Sequence, residues 1–188
     1  MNPLDALAAA TDHFDRVLAQ VPDDAWDRVT PCPDWTVREV ADHVTGGNRW
    51  AVLLLDGAEG REALATVRAG TFGPDRLADY RASVAAQHAA FAAPDALDRE
   101  VEHVVGRISA RQFLGMRLTD NVLHAWDLAR GAGLDDTLPE PLVHELISQL
   151  EPVADMMAHS GMFGSGHHGA GEAQTSQERL LHLAGRRP

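Results

Sequence analysis

Apolar residues recur three and four positions apart along most of this chain, the spacing of one face of a helix. Leu4, Leu7, Phe14, Val17 and Leu18 form the first such stripe and predict a helix over 3–20. The following stretch, VPDDAWDRVTPCPDW, carries three prolines and no sustained period, so it reads as a connector with a short helical turn over 24–28. Thr36 and Glu39 then form a capping box. The threonine hydroxyl accepts the glutamate N–H, and the glutamate carboxylate accepts the threonine N–H. Val37, Val40 and Val44 start the stripe of a second helix, which runs to about Leu55 and stops before Asp56-Gly57.

A third helix is predicted from near Pro74 to before Pro94, facing inward through Leu77, Tyr80, Val84 and Phe91. EVEHVVGRI is the one stretch with an extended pattern. A second capping box, Ser109 with Gln112, opens a fourth helix that ends in LARG, with Gly131 as its left-handed stop. A fifth follows Pro139 on the stripe Val143, Ile147, Leu150, Ala154 and Met157, fading at Gly161. Beyond it GMFGSGHHGAGEAQ is Gly-rich, and Thr175 with Glu178 caps a short last helix. The pattern therefore predicts an all-α bundle over 1–160, a Gly/His-rich linker over 161–175, and a helix over 176–188 packing on the same domain.

The composition narrows the function. Acidic residues outnumber basic ones 28 to 16, giving a net charge of −12, and every basic residue is arginine. That balance argues against nucleic acid or an anionic membrane as partner. No segment has the length of unbroken apolar sequence needed to cross a bilayer, and no leader pattern is evident, so a cytoplasmic location is expected. One cysteine excludes an internal disulfide. The lysine-free, alanine-rich composition fits a genome of high GC content.

Candidate chemistry lies mainly in LTDNVLHAWDLARG. Asp120 and His124 are four apart, about one turn above each other, a spacing that suits two ligands of one ion; Asp127 follows three further on. The plainer alternative pairs Asp120 and Asp127 with Arg117 and Arg130, or leaves them solvated. On the second helix His43 falls on or beside the buried stripe, with Gly47 leaving room beside the imidazole. Alone it reads as a core histidine; with Asp120 and His124 it gives two histidines and one carboxylate from two helices, the set of an open metal site. His88 is the next candidate, beside the Val84 and Phe91 stripe. His167 and His168 read as linker. Cys32, between two prolines, reads as structural rather than as ligand or nucleophile. Of the tryptophans, Trp126 is the one expected near a pocket.

Two words, TPCPDWTVREVADHVTGGN and LTDNVLHAWDLARGAG, with the ending SQERLLHLAGRRP, resemble the actinobacterial metal-binding proteins related to the N-terminal domain of mycothiol-dependent maleylpyruvate isomerase, within the DinB-like superfamily. The resemblance implies a DinB-like four-helix bundle that holds a divalent ion, usually zinc, through positions matching His43, Asp120 and His124. The isomerase has glutamate where Asp120 stands. Its domain is also followed by a second one, so the expectation here is mycothiol-type thiol chemistry on a small molecule rather than maleylpyruvate isomerisation itself. Asp127, Trp126 and Arg130 are expected around the ion or the bound cosubstrate, orienting a ligand imidazole or holding an anion.

Three readings stay open on this basis. One is a zinc-dependent thiol transferase or isomerase, monomeric or homodimeric; another is a hydrolase using zinc-bound hydroxide. The third is a non-catalytic module, whose structural metal would need a fourth ligand, with His88 and Cys32 as the suspects.

Overall fold

The computed structural model describes residues 1–32, 35–153 and 175–188. Helix α1 (Pro3–Leu18) opens with Asn2, whose side chain accepts the Leu4 N–H at 3.0 Å, and has proline at its first position, where a missing N–H costs nothing. The connector after it folds back on itself. Thr30 N and Oγ1 both donate to Trp35 O, at 3.0 and 2.9 Å, and Arg38 N donates to Trp26 O at 2.9 Å. Helix α2 (Val37–Leu55) starts at the Thr36–Glu39 capping box. Helix α4 (Arg76–Phe91) is capped by Asp75, and α5 (Ala110–Ala132) by the Ser109–Gln112 box.

Between α2 and α4 lies α3 (Gly60–Ala69), which the apolar pattern does not predict. It is short, with only Gly60 and Ala63 buried, and is capped by a glutamate, an uncommon N-cap residue. What fixes it is close approach: a Cβ at Gly60 would stand 2.5 Å from the Glu102 carbonyl oxygen. That carbonyl belongs to a hairpin, β1 (Glu100–His103) and β2 (Gly106–Ser109), which pairs Val101 with Ile108. The fold is therefore mostly helical rather than strictly all-α. The extended EVEHVVGRI stretch forms the sheet because Val101 is buried against α2, α3 and α5, while Gly106, at φ 114°, makes a turn closed to L side chains.

Helices α1, α2, α4 and α5 pack on one another: α1 touches α4 and α5, and α2 touches the same two. Val37, Val40 and Val44 of α2 meet Phe14, Tyr80, Ala125 and Leu128 in one core cluster. Leu7, Leu54, Phe91, Phe113 and Leu114 form another toward the hairpin. Helix α5 runs through Gly131 and stops at Gly133, which takes the left-handed conformation (φ 74°). Gly131 has a different reason to be glycine, because a Cβ there would stand 2.7 Å from Thr30 Cγ2 and 3.1 Å from Val29 O. Met116 of the same helix is 40% exposed.

Helix α6 (Glu140–Leu150) continues as a 3-10 turn over Glu151–Val153; its expected extension to Met157, and the Gly-rich segment with His167 and His168, lie outside the described residues. Helix α7 (Ser176–Leu183) returns to bury Leu180, Leu181 and Ala184 against Ala6, Leu142 and Leu146. No helix among the described residues is long and apolar enough to cross a membrane.

Candidate metal centre

The capping box fixes the register of α2, sending Val40 and Val44 into the core and leaving His43 on the rim, 38% exposed at its side chain. Facing it across the α2–α5 contact are Asp120, 22% exposed, and His124, buried. Asp120 Oδ1 lies 3.2 Å from His43 Nε2 and 3.4 Å from His124 Nε2. Two donors bound to one tetrahedral ion at about 2.0–2.1 Å stand about 3.3 Å apart. The spacing thus fits a small divalent ion held between the three, whose donor atoms all lie within 4.8 Å of one another.

The hydrogen-bond network around His124 sharpens this. Its Nδ1 lies 2.9 Å from Asp127 Oδ2, and a carboxylate at that place calls for an N–H. A neutral His124 then presents a bare Nε2 lone pair toward the Asp120 oxygen, an arrangement that requires a cation between them, either a proton or a metal. Burial disfavours the charged imidazole, but Asp120 and Asp127 outweigh it and hold the His124 pKa above its ordinary value. Burial likewise opposes ionisation of Asp120. His43, Arg117 and His124 together overcome it, keeping that carboxyl well below the usual carboxylate range.

Arg117, three residues before Asp120 on the same helix, decides which oxygen is free. Its Nη1 donates to Asp120 Oδ2 at 2.6 Å, so Oδ1 alone faces the histidines. The guanidinium is 6% exposed and engaged on every side: Nε donates to Gln87 Oε1 at 3.1 Å, and Nη2 to Asn48 Oδ1 at 2.8 Å and the Val44 carbonyl at 3.2 Å. Gly47 makes the space for it. A Cβ at Gly47 would stand 2.3 Å from Arg117 Nη1, so the absent side chain accommodates the arginine, not the His43 imidazole as its i+4 position suggested.

Trp35, which the sequence did not single out, covers the centre. Its ring lies 4.4 Å from that of His43 and 5.6 Å from that of His124, held there by the folded connector. Trp126, expected beside a pocket, is instead fully buried among Ala6, Leu118, Leu142 and Leu180. Arg130 stacks over Trp126 at 5.2 Å and pairs with Asp136 at 2.6 Å. Asp127 pairs with Arg186 at 2.7 Å rather than with Arg130. His88 is bonded to Thr11 Oγ1 at 3.1 Å and does not join the cluster. Cys32 does come close: it, His124 and Asp127 have donor atoms within 4.8 Å of one another. Arg117 was legible only as a pairing alternative, although positions 117, 120 and 124 share one helical face; for Arg186 no spacing signal exists.

Residues 7–129 match the family described as the mycothiol maleylpyruvate isomerase N-terminal domain. Two uncharacterized proteins of Mycobacterium tuberculosis, MT0763 and Rv0738, are each 34% identical over 151 residues, which span 78% of this chain and 76% of theirs. Crystal structures of the mycothiol-dependent maleylpyruvate isomerase and of a histidine-to-alanine mutant of it share the fold. Each gives a TM-score of 0.59 at 22% identity, over 85% of this chain and 71% of theirs.

Proposed function

The chain belongs to the mycothiol maleylpyruvate isomerase N-terminal domain family, and on that premise we propose that it binds a divalent ion, zinc foremost, through His43, Asp120 and His124, and serves a thiol-dependent transferase or isomerase reaction on a small molecule. The observation that carries this reading is the single Asp120 oxygen facing two imidazole Nε2 atoms at 3.2 and 3.4 Å. Two histidines and one carboxylate leave positions for a further ligand. An ion held by these three residues would lower the pKa of a thiol such as mycothiol and so supply a thiolate at neutral pH.

The protein's own groups prepare that event. Asp127 holds the proton of His124 on Nδ1 and so keeps Nε2 free as a donor. Arg117 neutralises most of the Asp120 charge, leaving the centre with a surplus of positive charge that favours an anionic thiolate. His43 and Asp120 are partly exposed, so a ligand reaches the centre from solvent, while Trp35 shields the imidazoles on one side. The reading places the protein in the cytoplasm, where reduced low-molecular-weight thiols are held.

Adding millimolar mycothiol to the cobalt-substituted protein tests this. A new sulfur-to-cobalt charge-transfer band is the expected result. No spectral change overturns the thiol assignment and leaves hydrolysis by a metal-bound hydroxide. A second reading, a closed structural site, draws on Cys32 beside His124 and Asp127. A sulfur-to-cobalt band present before thiol is added, and absent from C32S, would favour it.

A further inference from the structure

Asp127 is fully buried, and its Oδ2 serves two partners at once, His124 Nδ1 at 2.9 Å and Arg186 Nη2 at 2.7 Å. Arg186 Nε reaches the second oxygen at 3.3 Å, so the guanidinium grips the carboxylate at two points. This arginine lies far outside residues 7–129, the part that matches the family. It is carried there by α7: burial of Leu180, Leu181 and Ala184 docks the helix, and Gly185, at φ 72°, turns the chain. Arg186 N then donates to Leu181 O at 2.8 Å and its Nη1 to Ala184 O at 3.0 Å.

We propose that Arg186 is a positioning residue of the metal centre, acting through Asp127 to fix the orientation and tautomer of the His124 ring, so that the segment carrying α7 completes a site otherwise built from α2 and α5. The physical reason is geometric. Asp127 Oδ2 is shared between the His124 ring and Arg186, and a carboxylate gripped at two points cannot turn away from Nδ1. Held in that place it accepts the Nδ1–H, which fixes the ring and directs the Nε2 lone pair at the ion. Such supports of ligating histidines are worth roughly 10–100-fold in metal affinity.

This rests on His124 being a ligand, and the test separates the two claims. Zinc affinity, measured by competition with a chromogenic chelator, should fall about 10-fold or more in R186Q and stay at the wild-type value in R187Q, which alters the exposed neighbour. The D127N/R186Q double variant should bind zinc no more weakly than D127N alone. In metal-free protein, at a pH high enough to leave the imidazole neutral, long-range proton–nitrogen NMR correlations should show the His124 ring protonated on Nδ1 in the wild type and exchanging between tautomers in R186Q. If the wild type binds no zinc, the ligand assignment fails, while the tautomer measurement still decides the role of Arg186. Wild-type zinc affinity together with an unchanged tautomer in R186Q overturns the proposal, as do additive effects in the double variant. Should R186Q lose the packing of α7, R186K keeps the charge without the two-point grip, and the same two readouts apply to it.

Discussion

Replacing Gly47 with alanine should destabilise the protein, although alanine is the better helix former. In an open helix interior the change gains about 1 kcal/mol. Here the new Cβ would stand 2.3 Å from Arg117 Nη1 and 2.7 Å from its Cζ. Moving an arginine head is cheap when it is free, but this one is fixed by Asp120, Asn48, Gln87 and the Val44 carbonyl. Displacing it leaves buried amide groups short of partners, and breaking a buried charged pair costs about 3–5 kcal/mol. Because Asp120 is 22% exposed and can recover water, the lower end applies. Offset by the propensity gain, the net loss comes to about 2 kcal/mol, or roughly 4–8 °C in Tm for a chain of this size. Urea denaturation of the metal-free protein measures it. The control is the R117M background, where the clash is gone and G47A should be neutral or stabilising by up to about 1 kcal/mol. A wild-type or raised stability for G47A, or the same cost in both backgrounds, would refute the reasoning.

Three further outcomes follow. W35A should lose about 2 kcal/mol, less than the 3–5 of a fully buried aromatic, and cobalt binding should quench tryptophan fluorescence less in W35F than in the wild type, because Trp35 is the indole packed on His43 and His124. G131A should lower Tm despite its helical position, since its Cβ meets Thr30 and the Val29 carbonyl in the connector that carries Trp35. Burial lowers the pKa of His88, with the Asp12 charge opposing in part. Its contribution to stability is therefore present above the ordinary histidine value of about 6.5 and is lost as pH falls through the lowered one. The stability difference between wild type and H88Q, followed by denaturation from pH 7.5 to 5, should shift in favour of H88Q as the pH drops; a constant difference would contradict it.

The parts of this molecule legible in its sequence are those that obey local rules. Three capping boxes mark the starts of α2, α5 and α7, because each needs only a hydroxyl and a carboxylate or amide three residues apart. The i,i+4 spacing of Asp120 and His124 likewise puts them on one face, and the register of α2 turns His43 toward them. What sequence reading missed depends on distant contacts. Helix α3 has little buried surface of its own and is fixed by the hairpin against Gly60. Gly47 and Gly131 look like a gap and a stop until the side chains that crowd them are seen. Trp35 reaches the centre through a backbone fold of the connector, and Arg186 through the docking of α7. Trp126, next to Asp127 in the chain, lies about 100° further round the helix and is buried among Leu118, Leu142 and Leu180.

The central claim is that His43, Asp120 and His124 hold a divalent ion, and titrating the purified, metal-stripped protein with zinc tests it most directly. Calorimetry of the wild type beside H43A, D120N and H124A should show a single saturable ion per chain in the wild type and at least a 10-fold loss of affinity in each variant. Wild-type stoichiometry and affinity in all three variants, or no binding by the wild type, would contradict it.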